Sequence, residues 1–191
     1  AEVTEEAPHL RYTVKYRLES PDTPVLYLIG DRIVSLNCRR QYIGWQKLRE
    51  EIAFFKGVLQ GSELVIPERH GLRYIDLIRK EYLLDLSGLQ IHVRVGDQEI
   101  RTQPVQLRVE LDYRGRKHTV QIVSPVKADI AGEMWEGTLI DLEVGVGVES
   151  GWDAILEDEI DGLHDSVHSL FFTQILTQDL IHKLEPEYEE K

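Results

Sequence analysis

The sequence predicts an α+β fold in which antiparallel β-sheet packs on two long amphipathic helices. Two observations carry this prediction. In several short segments apolar residues alternate with polar ones between Gly- and Asp-containing turns, which is typical of half-buried antiparallel strands. In two longer segments apolar residues recur every three or four positions, which is typical of helices with one buried face. With 191 residues, 42% of them hydrophobic, the chain is long enough to bury a core.

The first part of the chain predicts strands followed by a helix. Residues 11–18 alternate as a strand does, and residues 25–29 and 33–38 flank a Gly-Asp-Arg turn as a hairpin does. A helix is predicted to begin at Gly44-Trp45 and to end at Gly61, because it carries one apolar stripe: Trp45, Leu48, Ile52, Phe55 and Leu59. Residues 64–67 and 71–78 predict the next strands.

The second part repeats this order. Strand patterns cover residues 91–123 and 138–148, so the whole chain should contain roughly seven to nine strands. An apolar stripe from Trp152 to Leu170 predicts a helix that runs to about residue 176 and resumes over 179–184.

The predicted organisation is one compact unit over residues 1–191 that ends in a loose acidic tail, 185–191. A Gly-Trp pair opens each predicted helix, at Gly44-Trp45 and again at Gly151-Trp152. This recurrence indicates pseudo-repeat halves over 10–85 and 90–184, with chance similarity as the alternative.

The net charge of −12 comes from one part of the chain. Residues 129–191 hold 2 basic and 17 acidic side chains, a net of −15, whereas residues 1–128 hold 20 basic and 17 acidic, a net of +3. Such an acidic surface repels nucleic-acid phosphate and anionic lipid and favours basic partners. A solvated helix face that keeps the protein soluble explains the same charges.

Several classes of protein are disfavoured by what the sequence lacks. There is no apolar run of about 20 residues, the length needed to cross a membrane. The first ten residues lack the cationic and apolar segments of a secretory signal, which predicts a cytoplasmic protein. The single Cys38 excludes an internal disulfide. Nucleophile-elbow, P-loop and dinucleotide-binding motifs are missing, so a non-catalytic role is favoured and no cofactor is expected.

Four residues are candidate ligand contacts. Arg73, Tyr74 and Asp76 lie in one otherwise apolar strand, and a buried Arg can clamp a carboxylate or phosphate. Because residues three apart on a strand point to opposite faces, Arg73 and Asp76 should not pair with each other. Trp45, close to the basic pair at 39–40, adds an aromatic candidate.

The C-terminal helix holds two further candidate sites. His164 and His168 are four residues apart, a spacing at which two imidazoles can bind a divalent metal. Capping of the core by the two rings is the structural alternative. The acidic residues of this helix could bind a basic partner, and they are Glu157, Asp158, Glu159 and Asp161.

A resemblance rests on three motifs: Tyr42-Ile43-Gly44-Trp45, Gly71-Leu72-Arg73-Tyr74-Ile75-Asp76, and a closing helix with Leu163-His164-Asp165, then Phe171 or Phe172 and Leu176-Thr177. Together they resemble a sporadically distributed, largely uncharacterised prokaryotic family, which has Asn where this chain has Asp76. The resemblance covers most of the chain. It implies an antitoxin, immunity or defence-accessory role and no particular chemistry.

The sequence therefore favours a non-catalytic binding protein that engages a protein partner, with the acidic helix as one surface. The alternative is a small-ligand-binding or hydrolytic domain whose cleft between sheet and helix would use Arg73, His164 and His168. Nucleic acid is a disfavoured partner, a membrane is excluded, and a homo-oligomer is compatible with the sequence.

Overall fold

The computed structural model describes residues 13–19, 23–39, 42–62, 65–83, 85–130, 132–148, 151–155 and 157–185. The chain divides into two compact units, residues 1–65 and 66–191. The α+β class and the antiparallel sheets are confirmed, with nine strands among the described residues.

The first unit is a three-stranded antiparallel sheet with one helix. Its strands, β1 (Val14–Glu19), β2 (Val25–Gly30) and β3 (Val34–Cys38), are ordered β1-β2-β3, and helix α1 spans Trp45–Gly61. The hairpin and the helix are thus confirmed. Gly44 precedes the helix with a φ of 86°, a conformation that costs glycine little, which explains the Gly-Trp helix start.

The second unit is built on a four-stranded antiparallel sheet. The six strands of this unit, in chain order, are β4 (Arg69–Arg79), β5 (Val93–Val95), β6 (Gln98–Ile100), β7 (Val105–Tyr113), β8 (Arg116–Ile130) and β9 (Glu133–Gly147). The main sheet is ordered β4-β9-β8-β7, and β5 and β6 form a separate hairpin. Residues 65–67, for which a strand was predicted, are not part of any strand.

The prediction of two long helices is wrong, because the C-terminal one is interrupted. Helix α2 (Glu157–Leu170) continues into a π-helical turn, Phe171–Ile175, and α3 (Gln178–Leu184) follows. Between them Leu176 forms a β-bridge with Leu89, and the Gln90 backbone N–H donates to the Ile175 carbonyl at 2.7 Å. These tertiary hydrogen bonds take the backbone out of the helical path. Thr177 then caps α3 by accepting from the Leu180 N–H.

The predicted duplication is not supported. The first unit has three strands before its helix, whereas the second has six, and the boundary between units falls at residues 65 and 66. The predicted halves were 10–85 and 90–184. Of the predicted acidic tail, residues 186–191 lie outside the described residues.

The core of the second unit lies between the four-stranded sheet and α2. Leu163 and Val167 of α2 are buried against Ile140, Leu142 and other sheet residues. Residues 72, 74, 76 and 78 of β4 lie on this helix-bearing face, and residues 73, 75 and 77 lie on the other face. Strands β4 and β9 approach each other closely at Gly137, where a Cβ atom would lie 2.0 Å from the Ile78 carbonyl oxygen. Within the described residues, no helix is both long and apolar enough to span a membrane.

Candidate functional site

Strand β4 and helix α2 meet along a row of titratable and aromatic side chains. We call this row the β4–α2 seam and define it as His70, Tyr74 and Asp76 of β4 with Glu159, His164 and His168 of α2. The His70 Nε2 atom lies 3.2 Å from the Glu159 Oε2 atom. The Tyr74 hydroxyl and the His164 Nδ1 atom are hydrogen-bonded at 2.8 Å. Both contacts cross from sheet to helix, so β4 and α2 run side by side in the same direction.

Aromatic rings continue the seam along α2. The ring centroids of Tyr74 and His164 are 6.0 Å apart, and those of His164 and His168 are 5.8 Å apart. Phe172 in the π-helical turn lies 4.7 Å from the His168 ring. The spacing of four residues places 164, 168 and 172 on one side of the helix. The seam therefore contains a row of neighbouring rings that are tilted relative to one another.

Asp76 is the exceptional member of the seam. It lies on the helix-bearing face of β4, between Tyr74 and the buried Ile78, and its partner in register on β9 is the fully buried Ile140. Among the described residues no hydrogen-bond or ion-pair partner of its carboxylate is found. Burial raises the pKa of Asp76 to about 6. A half-buried carboxylate in such surroundings costs free energy when it is ionised.

Arg73 lies on the opposite face of the sheet from the seam. Its guanidinium donates two hydrogen bonds to Asp141, at 2.8 and 2.5 Å, and Asp141 is only 7% exposed. The hydrogen bond with Asp141 raises the pKa of Arg73 further. Arg73 is thus committed to a structural ion pair. Of the four predicted ligand contacts, the structure brings together Tyr74 and Asp76, whereas Arg73 faces away and Trp45 begins α1 in the first unit.

The His164–His168 pair lies on one helix side, as the sequence predicts. However, the Nδ1 atom of His164 is engaged with Tyr74. Over the described part of the chain, no three His, Cys, Asp or Glu side chains are arranged to hold a metal ion.

The predicted acidic surface is divided between sides of α2. Asp158 is exposed, but Glu159 is half-buried because it reaches back to His70, and Asp161 is also half-buried. The side chain of Glu157 lies outside the described residues.

A buried histidine on β8 was not among the predicted residues. His118 is fully buried, its Nδ1 atom lies 3.0 Å from the Arg116 carbonyl oxygen, and its Nε2 atom lies 3.1 Å from the Ser166 hydroxyl of α2. Burial lowers the pKa of His118. The signal was available, because His118 is in phase with the buried Val120 and Ile122. His118 follows the basic turn residues 114–117, so the sequence favoured a solvent-exposed position for it.

The first unit presents a different kind of surface. On β1, Val14, Tyr16 and Leu18 are 40%, 64% and 54% exposed, and we call these three residues the β1 apolar row. Leu18 is in register with Tyr27 of β2, whose ring packs 4.9 Å from that of Phe55 on α1. Residues in register point to the same side of a sheet. Tyr16 and Leu18 therefore lie on the side of the sheet that carries α1.

Open surface depressions among the described residues include two that lie away from the seam. One, of about 490 Å³, lies at the β5–β6 hairpin and is lined by His92, Arg94, Asp97 and Glu99. The other, of about 250 Å³, lies beside the end of β4 and the β8–β9 hairpin. Neither includes a predicted site residue.

Comparison with known proteins adds no relative: no family model, no curated protein and no solved structure matches this chain. The family resemblance stays a prediction.

Proposed function

We propose that this protein is a binding protein that engages a protein partner through the β1 apolar row. The observation that carries the proposal is an imbalance within the first unit. Among its described residues three hydrophobic side chains are buried, Val25, Leu26 and Leu48. Six large ones are exposed, and these are Val14, Tyr16, Leu18, Tyr42, Phe54 and Val58. A unit this small has little core to stabilise it, so a partner that covers its apolar surface contributes directly to its stability.

The geometry supports a partner element beside α1. Three strands at a spacing of about 4.8 Å occupy a width of about 14 Å, whereas a helix is about 10 Å across, so one helix leaves part of a three-stranded sheet uncovered. Helix α1 packs on β2 through Tyr27, whose hydroxyl donates to Glu51 at 2.7 Å. Tyr16 and Leu18 of the β1 apolar row lie on the same side and are left exposed. A segment with one apolar face fits beside α1.

The charged residues of β1 are satisfied within the unit. Lys15 pairs with Asp31 at 2.5 Å, and Glu19 pairs with Arg17 and with Arg39. These residues need no partner charge, which supports an apolar contact on the other side of the strand. An antitoxin, immunity or defence-accessory role is compatible with such a surface and stays a prediction.

To test the proposal, the partner is first captured from the native host by cross-linking it to this protein. The affinity of the purified partner for this protein and its variants is then measured. The double variant Tyr16→Ser/Leu18→Ser should lose at least about tenfold in affinity, because two exposed apolar anchors are removed. The matched control is Met134→Ser, which truncates a residue that is 66% exposed in the second unit. Equal binding of the double variant, with its circular dichroism unchanged, contradicts the proposal.

The acidic surface of α2 is compared in the same assay. Asp158→Lys reverses an exposed charge without touching the β1 apolar row. Loss of binding in this variant alone assigns the interface to α2 and refutes the role of β1.

A further inference from the structure

We propose that Asp76 anchors a binding site for an organic cation, a guanidinium or primary ammonium group, in the β4–α2 seam. This site is separate from the β1 apolar row and does not depend on it. The argument begins with the Asp76 carboxylate, which has no hydrogen-bond or ion-pair partner in the described part of the chain. A half-buried carboxylate without a protein partner must be satisfied by solvent or by a solute, so Asp76 is a candidate anchor for a ligand.

The position of Asp76 allows access. Strand β4 is the terminal strand of its sheet, with β9 on one flank. The Asp76 side chain is half-buried and not enclosed, although its neighbours Ile78 and Ile140 are buried. Because part of the Asp76 side chain is exposed to solvent, a small solute has access to it.

The surroundings select the charge and the kind of cation. No basic side chain of β4 shares the Asp76 face near it: Arg73 is on the opposite face and is paired with Asp141. On the helix-bearing face, Asp76 lies between Tyr74 and Ile78 along β4 and faces the apolar Ile140 on β9. The Tyr74 hydroxyl is hydrogen-bonded to His164 of α2, whereas the His70–Glu159 contact lies six residues away along β4. Ring faces favour guanidinium and ammonium groups by cation–π attraction, and a carboxylate pairs with guanidinium through two hydrogen bonds.

A metal ion is a poorer occupant. The described residues contain no group of three or more metal-ligating side chains, and His164 already uses Nδ1 for Tyr74. An organic cation needs only one carboxylate and an apolar or aromatic wall, and both are present.

The test is a titration of ¹⁵N-labelled protein with methylguanidinium chloride against sodium chloride at matched ionic strength. At pH 7.5 the amide signals of residues 74–78 should shift and saturate with methylguanidinium but not with sodium. Asp76→Asn keeps the shape of the side chain and removes the charge, so these shifts should vanish. Asp112→Asn, which removes an exposed carboxylate of β7, should leave them unchanged.

Lowering the pH provides a second measurement. With the pKa of Asp76 at about 6, protonation should weaken the apparent affinity on the order of 30-fold between pH 7.5 and pH 4.5. Because pH acts on more groups than Asp76, the decision rests on the Asp76→Asn comparison at pH 7.5. Absence of saturable shifts in the native protein, or equal shifts in Asp76→Asn, overturns the proposal.

A further arm identifies the source of the cation. The peptide acetyl-Gly-Arg-Gly-amide presents the same guanidinium on a protein backbone. Binding at least tenfold tighter than that of methylguanidinium assigns the cation to a side chain of a protein. Equal or weaker binding assigns it to a free small molecule.

Discussion

Replacing Asp76 by Asn should stabilise the protein at neutral and alkaline pH. Burial raises the pKa of Asp76 from 3.8 to about 6, so the folded state holds this proton more tightly than the unfolded chain does. One pKa unit corresponds to 1.36 kcal/mol, and the ionised carboxylate therefore costs the folded protein about 3 kcal/mol at a pH well above 6. Asn carries no charge, so Asp76→Asn should be up to about 3 kcal/mol more stable at pH 8.

The sign of the pH dependence follows from the same change in pKa. The contribution of Asp76 to the free energy of unfolding is most favourable below pH 3.8. It declines as the pH rises to about 6 and is constant above that. The stability difference between Asp76→Asn and the native protein should therefore grow over this window and stay level at higher pH.

The measurement is urea unfolding at pH 4, 5, 6, 7 and 8. The unfolding should be monitored by hydrogen exchange of peptides from β8 and β9, because these peptides report on the second unit alone. Other titrating groups are common to both proteins and cancel in the difference. Asp112→Asn is the control, because an exposed surface carboxylate should change stability by no more than about 0.5 kcal/mol. A difference between Asp76→Asn and the native protein that does not vary with pH refutes the reasoning, and so does a less stable variant at pH 8.

Three further outcomes are expected. Burial lowers the pKa of His118 below its ordinary 6.5, so the unfolded chain takes up this proton before the folded protein does, and stability falls as the pH drops below 6.5. In His118→Gln, the urea midpoint should therefore decline less between pH 6.5 and pH 5 than in the native protein. An equal decline in the two proteins argues against this role of His118. Tyr27→Phe removes the hydrogen bond to Glu51 and should cost about 1 kcal/mol in thermal unfolding, with no loss counting against that contact. Gly137→Ala places a Cβ atom 2.0 Å from the Ile78 carbonyl oxygen and should expose β4 to hydrogen exchange, whereas unchanged protection of β4 would show that the two strands can separate locally.

Local patterns were sufficient for most elements. Alternation identified the β2–β3 hairpin and strand β7, and the apolar stripe placed α1 with its start at Trp45. These signals depend on residues close in sequence. The interruption after Leu170 was not predictable in this way, because it depends on Gln90 and Leu89, which precede their partners Ile175 and Leu176 by 85 and 87 residues.

The candidate site shows the same limit. Strand alternation correctly separated Arg73 from Asp76, but the ion pair of Arg73 with Asp141 depends on the register of β4 against β9. The contact between Tyr74 and His164 depends on how α2 lies on the sheet. Asp76 was a candidate because it is a charge in an apolar strand. The rise in its pKa could not be predicted from the sequence, because Ile140 becomes its neighbour only in the folded structure.

The pairing of β4 with β9 also constrains how the second unit assembles. Strands β7, β8 and β9 are consecutive hairpins, so each can pair with its neighbour soon after it is made. Strand β4 must wait, since Arg79 pairs with Gly137 and Arg69 with Gly147. Closing so long a loop is entropically costly, and non-local pairings of this kind form slowly. We therefore expect the last strand to join the sheet to be the first one synthesised in this unit. On the ribosome, β4 is then without its sheet partner until residues 137–147 emerge.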